Sequence, residues 1–464
     1  MNTPLNEKEL PTVVLSKKVR WFLLYLLSFL AGVIGITGGV FSSGISKIKS
    51  DLSLTDEQLG LVGTFGGFGA LVGSIIFTVL INILNNKCFL IMCVVINSIG
   101  HFMVFITNNF YVLLVGRCIP GVTSNVLLTF FTVWVNKYAV QKYKTAFFTI
   151  YQLLGTLGII WGYVVNLIIG KDQWRYGFLI EIVLEMSVAV ILLFVPGKYF
   201  DKNLFFFKHN KEDGRKDKES FNHESLFSPE QKKKESNDDT KETLCSSVIC
   251  NLFLILLTIV RSFKCFVFIV FIFWYTDYLE TQLHIVNQRE IFISFSIAQV
   301  ASSLAGLLLG GAIGSCVGGY TSKKGPLIIL IIMLLATIIG VIVPYIDSIY
   351  LFTIAIFFFN TIGFIGAPFE INITFDVVPK RYGGITNGLV STFINITAGI
   401  PAPTIYGYIK TLYGSQASMN FTMRLYILGS IVMLLALCVK NREDRKKEEK
   451  EKSNNGIPLQ EVKA

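Results

Sequence analysis

The sequence predicts an all-α membrane protein with twelve transmembrane helices in two pseudosymmetric six-helix halves. Of its 464 residues, 52% are hydrophobic and 16% are charged, whereas soluble proteins carry about 25% charged residues. The apolar residues form continuous runs of about 20 residues, the length that crosses a bilayer as a helix. Because these runs are long and do not alternate with polar residues, they exclude a membrane β-barrel.

The helix limits follow the ends of the apolar runs. The predicted helices 1 to 12 span 20–47, 59–82, 87–107, 110–138, 143–170, 174–196, 248–279, 291–320, 326–346, 350–378, 382–413 and 421–440.

A polar segment divides the twelve helices six and six. We expect an N-terminal tail (1–19), an N-terminal half (20–196), a linker (197–245), a C-terminal half (246–440) and a basic tail (441–464). The linker and the last segment are highly charged and poor in apolar residues, so we expect them to be disordered. Two such halves are typical of secondary transporters built from repeats.

Lysine and arginine concentrate in the tails, the linker and alternate loops, which places both termini and the linker in the cytosol. The net charge of +10 therefore reflects membrane orientation and does not indicate a nucleic-acid partner. The first apolar run is too long for a cleaved signal peptide. The eight cysteines lie mostly in or beside apolar runs, without the spacing of a zinc site or a disulfide framework. We expect no metal, no cofactor and a monomer in the lipid bilayer.

The loops after helices 2 and 8 occupy matching positions in the two halves. The first runs from Thr78 through Asn82 to Lys87, and the second contains Gly318, Ser322 and Lys323. Both resemble the loop signature of the major facilitator superfamily, in which a glycine, an acid and bases help to latch the cytosolic side. Asn82 and Ser322 replace the acid, so these gating candidates would form a hydrogen-bonded latch. The alternative is two ordinary tight basic loops.

Helix 4 contains Arg117 followed by Gly121, similar to the Arg-x-x-x-Gly segment of the same superfamily. Helix 5 contains Gly155, Gly158 and Gly162, a spacing that lets helices approach closely. We interpret these glycines as packing positions.

Two further segments resemble the Spinster-like branch. They are Trp161-Gly-Tyr followed by Gln173-Trp-Arg-Tyr, and Ile400-Pro-Ala-Pro-Thr-Ile-Tyr-Gly407. The chain lacks the acids that this branch usually has on helices 1 and 4. The resemblance implies a lysophospholipid or sphingoid cargo and a plasma or endolysosomal membrane.

Charged residues within the helices are the main candidates for a binding site, because each is costly to insert unless it faces a cavity or a partner. Arg261 and Lys264 lie three residues apart on helix 7, hence on one face, and Glu370 lies in helix 10. In the superfamily arrangement helices 1, 4, 7 and 10 line the cavity, so Arg117 would converge with these three on the substrate. The alternative is a structural salt-bridge network, for example Arg261 with Glu370.

Helices 3 and 6 carry three more ionisable residues. Glu181 and Glu185 lie four residues apart on helix 6, and His101 lies on helix 3. We expect the glutamates to pair or to reach the membrane surface, and His101 to be an isolated core residue.

These observations predict a transporter that moves a small organic solute by alternating access. The excess of cationic over acidic cavity candidates favours an anionic or zwitterionic solute, and the Spinster resemblance implies a lipid-like one. The alternative is a membrane sensor or scaffold that keeps the fold without transport. No catalytic or phosphate-binding motif indicates an enzyme.

Overall fold

The computed structural model describes residues 16–80, 84–138, 144–200, 250–317, 324–379 and 383–454. Twelve long helical elements account for most of these residues. The first six are α1 (Lys17–Asp51), α2 (Asp56–Leu80), α3 (Asn86–Ile106), α4 (Phe110–Tyr138), α5 (Lys144–Ile169) and α6 (Trp174–Phe194).

The second half contains the other six elements, three of which change helical geometry along their length. They are α7 (Leu252–Thr281), α8 (Gln288–Phe295, Ser296–Ala301 and Ser302–Cys316), α9 (Gly325–Ile342), α10 (Ile349–Ile365 and Ala367–Asp376), α11 (Gly383–Ile394, Asn395–Gly399 and Pro401–Tyr413) and α12 (Ser415–Asn454). The middle segments of α8 and α11 are π-helical.

The predicted twelve-helix membrane architecture is confirmed. Within the described ranges, eleven helices are long and apolar enough to cross a bilayer, and α5 contributes a shorter apolar stretch, Leu153–Ile169. The predicted linker, 197–245, lies outside the described residues from position 201 onward. The expectation of disorder after Asn441 is wrong up to Asn454, because α12 continues to that residue.

The two halves repeat one packing pattern. In the N-terminal half α1 packs on α5, α2 on α4, and α3 on α6. The corresponding pairs in the C-terminal half are α7 on α11, α8 on α10, and α9 on α12. The halves meet through α1 and α7, and through the equivalent pairs α2 with α11 and α5 with α8. The contacts therefore follow the internal pseudosymmetry that the sequence predicts.

The helix 5 glycines pack against α1, as predicted. A Cβ at Gly158 would overlap the carbonyl oxygen of Gly32, and one at Gly162 would overlap that of Ile36. A Cβ at Gly155 would meet nothing within 4 Å. Two of the three glycines are thus required by the close approach of the two backbones.

We define the outer end as the end with the α1–α2, α5–α6, α7–α8 and α11–α12 connections, and the inner end as the opposite one. Hydrogen bonds between the halves cluster from mid-depth to the outer end. Thr64 donates to the carbonyl of Ile400 (2.6 Å), and Tyr163 bonds Thr276 (2.7 Å). Ser42 on α1 donates to the carbonyl of Ile272 on α7. The halves are therefore closed against each other at the outer end.

Candidate functional site

A cavity of about 440 Å³ lies mainly within the C-terminal half, between α7, α10, α11 and α12. Asn125 of α4 lines it from the other half. The volume lies within the range of sites for small organic ligands, about 300–1,000 Å³. Its wall combines aromatic rings with charged and amide side chains, including Phe268, Phe359, Phe364, Tyr426, Asn360 and Asn395. Such a wall suits a solute with an apolar body and a charged or polar group.

Three of the four predicted binding residues line this cavity: Arg261, Lys264 and Glu370. They come together because Arg261 and Lys264 share one face of α7, and Glu370 lies in the first turn of the second segment of α10. The Lys264 ammonium donates to the Glu370 carboxylate and, at 3.0 Å, to the carbonyl of Gly363. The pair is largely buried, with side-chain exposures of 11% and 6%.

The observed ion pair differs from the Arg261–Glu370 pair that the sequence suggested as an alternative. Glu370 pairs with Lys264, and within the described ranges Arg261 has no ion pair. Because Lys264 and Glu370 neutralise each other, the guanidinium of Arg261 is the excess positive charge of the cavity wall.

Arg117 does not line the cavity with the other three. Its guanidinium carbon lies 4.6 Å from the centre of the Phe41 ring, and the acid that interacts with it electrostatically is Glu181 of the same half. The Gly121 that follows it packs on α2, where an added Cβ would overlap the carbonyl oxygen of Gly66. The Arg-x-x-x-Gly segment of this chain therefore packs against α1 and α2 of the N-terminal half.

Comparison with known proteins decides the family. The model of the Major Facilitator Superfamily matches residues 27–310 and 252–463, which together cover most of the chain. The chain belongs to the Major Facilitator Superfamily. It is accordingly a multi-pass membrane protein of this superfamily by sequence and fold.

The chain aligns with only part of the length of its curated relatives. The glucose transporter GlcP of Staphylococcus epidermidis is 25% identical over 181 residues, 39% of this chain and 41% of the relative. The probable polyol transporter 3 of Arabidopsis thaliana is 26% identical over 167 residues, 36% and 33% of the two chains. The chain thus aligns with about two-fifths or less of these relatives.

Solved structures support the same fold over nearly the whole chain. A bacterial homologue of the human lysosomal transporter Spinster, in an inward-facing and unoccupied conformation, superposes with a TM-score of 0.70 and 15% identity. The match covers 91% of this chain and 98% of that one. A D-xylose–proton symporter gives a TM-score of 0.68 at 12% identity, with 89% and 97% covered. The Spinster-like fold expected from the sequence is therefore confirmed.

Most of the predicted gating residues of this superfamily member lie outside the described residues: Asn82, Gly318, Ser322 and Lys323. Lys87 is described, and its ammonium donates to the carbonyl of Leu193 at 2.7 Å. That bond ties the start of α3 to the end of α6 within one half. The gating role of these loops stays a prediction.

The structure shows a charged cluster at the outer end that the sequence analysis missed. Lys410 of α11 pairs with Asp277 of α7 at 2.6 Å and with Asp56 of α2 at 3.0 Å. Lys49 of α1 also pairs with Asp56, at 2.6 Å. We call Lys410, Asp277, Asp56 and Lys49 the outer latch, because they join the two halves. Asp277 and Lys410 are four and three residues from the ends of their helix segments, and only the packing of the halves shows that they meet.

The expectation that His101 is isolated is wrong. Its ring lies between Glu181 and Glu185, and all three side chains are fully buried between α3 and α6. Neither glutamate reaches the membrane surface. His101 is 80 or more positions away from both glutamates in the sequence, so only the packing of α3 on α6 identifies the cluster.

Proposed function

We propose that this protein transports a small amphiphilic organic anion or zwitterion by alternating access, with Arg261 as the main anchor of the anionic group. The observation that carries the proposal is the charge balance of the cavity. Lys264 and Glu370 compensate each other, which leaves Arg261 to attract an anion. A guanidinium can bind a carboxylate or phosphate through two parallel hydrogen bonds.

The aromatic wall supports an apolar tail on the same solute. Phe268 and Phe364 meet edge to face at 5.3 Å, and Phe359 lies 4.7 Å from Tyr426. Rings of this kind bind acyl or alkyl chains through apolar contact. A lysophospholipid or a phosphorylated sphingoid base combines both parts, and the homologue of a Spinster transporter is similar in fold.

The closed outer end supports alternating access. With both termini in the cytosol, closure at the outer end gives a cytosol-facing state, and transport requires the outer latch to open while the inner end closes. The proposal includes a monomer in a plasma or endolysosomal membrane. A non-transporting sensor has no need for a positively charged cavity at membrane depth, where charge is costly.

Counterflow in proteoliposomes tests the proposal. Vesicles that contain the purified protein and unlabelled lysophosphatidate are mixed with radiolabelled lysophosphatidate, and uptake of the label is measured. Arg261→Gln is compared with Arg289→Gln, which removes an exposed arginine at the start of α8. A charge-assisted hydrogen bond contributes about 1.5–3 kcal/mol, so Arg261→Gln should weaken uptake roughly 10- to 100-fold at low substrate, while Arg289→Gln stays near the wild type. No uptake of any amphiphile by stable wild-type protein would favour the sensor or scaffold.

A further inference from the structure

A buried group of three potential metal ligands lies inside the N-terminal half, away from the cavity. His101 on α3 and Glu181 and Glu185 on α6 are 1%, 0% and 0% exposed. One ligand atom from each lies within 4.8 Å of the others. The Nδ1 atom of His101 is 3.7 Å from Oε1 of Glu181 and 3.6 Å from Oε1 of Glu185. None of the three lines the proposed solute site, so this group does not depend on the proposed function.

The hydrogen bonds of Thr37 define which ring nitrogen of His101 carries a proton. When Glu181 is ionised, the Thr37 hydroxyl donates its single proton to Oε1 of Glu181 at 2.5 Å. Its contact with Nε2 of His101, at 3.0 Å, must therefore be one in which Nε2–H donates and the hydroxyl accepts. In the neutral ring, Nδ1 then presents a lone pair to two carboxylate oxygens.

Two polar atoms of the group lack hydrogen-bond partners. Nδ1 of His101 and Oε2 of Glu181 are buried and unpartnered in the part of the chain that the structure describes. A lone pair directed at two carboxylates is repulsive unless a positive charge lies between them. A positive charge at the centre, either a metal ion or a proton, would remove this repulsion.

The surroundings of the group are well satisfied. Glu185 accepts hydrogen bonds from the Asn97 amide and, at 2.7 Å, from the Ser98 hydroxyl. The Asn97 carbonyl in turn accepts from Thr123 at 2.6 Å. In metal sites the ligating histidine and carboxylates are usually held in this way by outer hydrogen bonds, which orient them toward the ion.

The distances favour a metal ion over a shared proton. A proton on Nδ1 would draw one carboxylate to about 2.7–3.2 Å, but both lie at nearly equal and longer separations. Ligand atoms around a tetrahedral ion with bonds of about 2.0–2.2 Å are separated by roughly 3.3–3.6 Å, close to the 3.7 and 3.6 Å between Nδ1 and the two carboxylates. The other cation near the group, Arg117, makes no ion pair with Glu181 within the described residues.

We propose that His101, Glu181 and Glu185 hold one resident divalent ion of the zinc type, which clamps α3 to α6. The nitrogen and oxygen ligands suit Zn²⁺ and Co²⁺. The fourth position of a tetrahedral ion remains for water or for a second carboxylate oxygen. The ion stabilises the N-terminal half as a rigid body and is not the transported solute.

The test uses the full chain in detergent, stripped with a chelator and then given Co²⁺. We expect about one Co²⁺ per chain, a visible absorption band of four-coordinate Co²⁺ that Zn²⁺ abolishes, and a thermal midpoint raised by Zn²⁺. Glu185→Gln should lower the affinity at least tenfold, since even loss of an outer partner costs 10- to 100-fold. Glu443→Gln, a matched change on α12, should bind as the wild type does.

Glu185→Gln can fail to fold, and the wild-type measurements then decide alone. Less than a tenth of an equivalent of Co²⁺ on stable wild-type protein would overturn the proposal. Equal Co²⁺ binding by Glu185→Gln and wild type would do so as well. Stability that changes with pH but not with Zn²⁺ would assign the site to a proton and likewise overturn it.

Discussion

Replacing Lys410 by methionine should open the outer end. Lys410 is 6% exposed and pairs with Asp277, which is 1% exposed, and with Asp56, which is 17% exposed. Methionine keeps most of the side-chain length and removes the charge. The carboxylate of Asp277 is then left buried and without its cation as long as the halves stay closed.

The loss of the Lys410 charge destabilises the closed state. Removing one partner of a buried ion pair costs about 3–5 kcal/mol, whereas in a state open at the outer end water can hydrate Asp277. A difference of about 3 kcal/mol shifts the balance between the two states roughly 100-fold toward the open one. The pair between Lys49 and Asp56 is more accessible to water, with side-chain exposures of 31% and 17%. Such a pair is worth only about 0–1 kcal/mol, so Lys49→Met should shift the same balance less than about fivefold.

Thiol labelling measures this shift. Ser42 lies at the closed interface with 1% exposure, so Ser42→Cys, in a background without the native cysteines, should label slowly in the closed state. We expect Lys410→Met to accelerate labelling at least tenfold, Lys49→Met to leave it nearly unchanged, and Asp277→Asn added to Lys410→Met to slow it again. Unchanged labelling in Lys410→Met, or no effect of Asp277→Asn, would refute the assignment of the outer latch.

Two further predictions concern stability. Lys264→Gln should lower the free energy of unfolding by about 3 kcal/mol because Glu370 loses its cation, and adding Glu370→Gln should restore that stability. Arg261→Gln should leave the thermal midpoint within a degree or two of the wild type. A large drop of the midpoint in Arg261→Gln would contradict the unpaired state of its guanidinium. Gly158→Ala should cost at least about 1–3 kcal/mol through overlap with α1, whereas Gly155→Ala, which meets open space, should be neutral or stabilising in thermal unfolding.

The membrane fold could be predicted because it depends on local composition. Each run of about 20 apolar residues forms a helix wherever it lies in the bilayer, so the twelve elements were predicted to within a few residues at most ends. The extension of α12 to Asn454 was not, because its last turns are charged and the apolar pattern ends at Lys440. The π-helical segment Asn395–Gly399 was not predicted either, because the apolar pattern indicates a helix without indicating its type.

The site could be predicted only where residues share one helix, or where the resemblance to the superfamily places their helices around one cavity. Arg261 and Lys264 share a face of α7, and their approach to Glu370 followed from the expected arrangement of helices. Arg117 does not join these three residues because its side chain lies over the Phe41 ring. The outer latch and the His101 group join helices far apart in the chain, so no spacing could identify them.

The central claim is that Arg261 binds the anionic group of the solute, and headgroup selectivity tests it most directly. Uptake of lysophosphatidate and of lysophosphatidylcholine with the same acyl chain is measured in proteoliposomes of wild type and Arg261→Gln. The two lipids share their apolar tail and differ in headgroup charge, so the ratio of their uptake rates reports the contribution of that charge. The account predicts that the wild type prefers lysophosphatidate about tenfold or more and that Arg261→Gln reduces the ratio to near one. An equal preference in both proteins would contradict it.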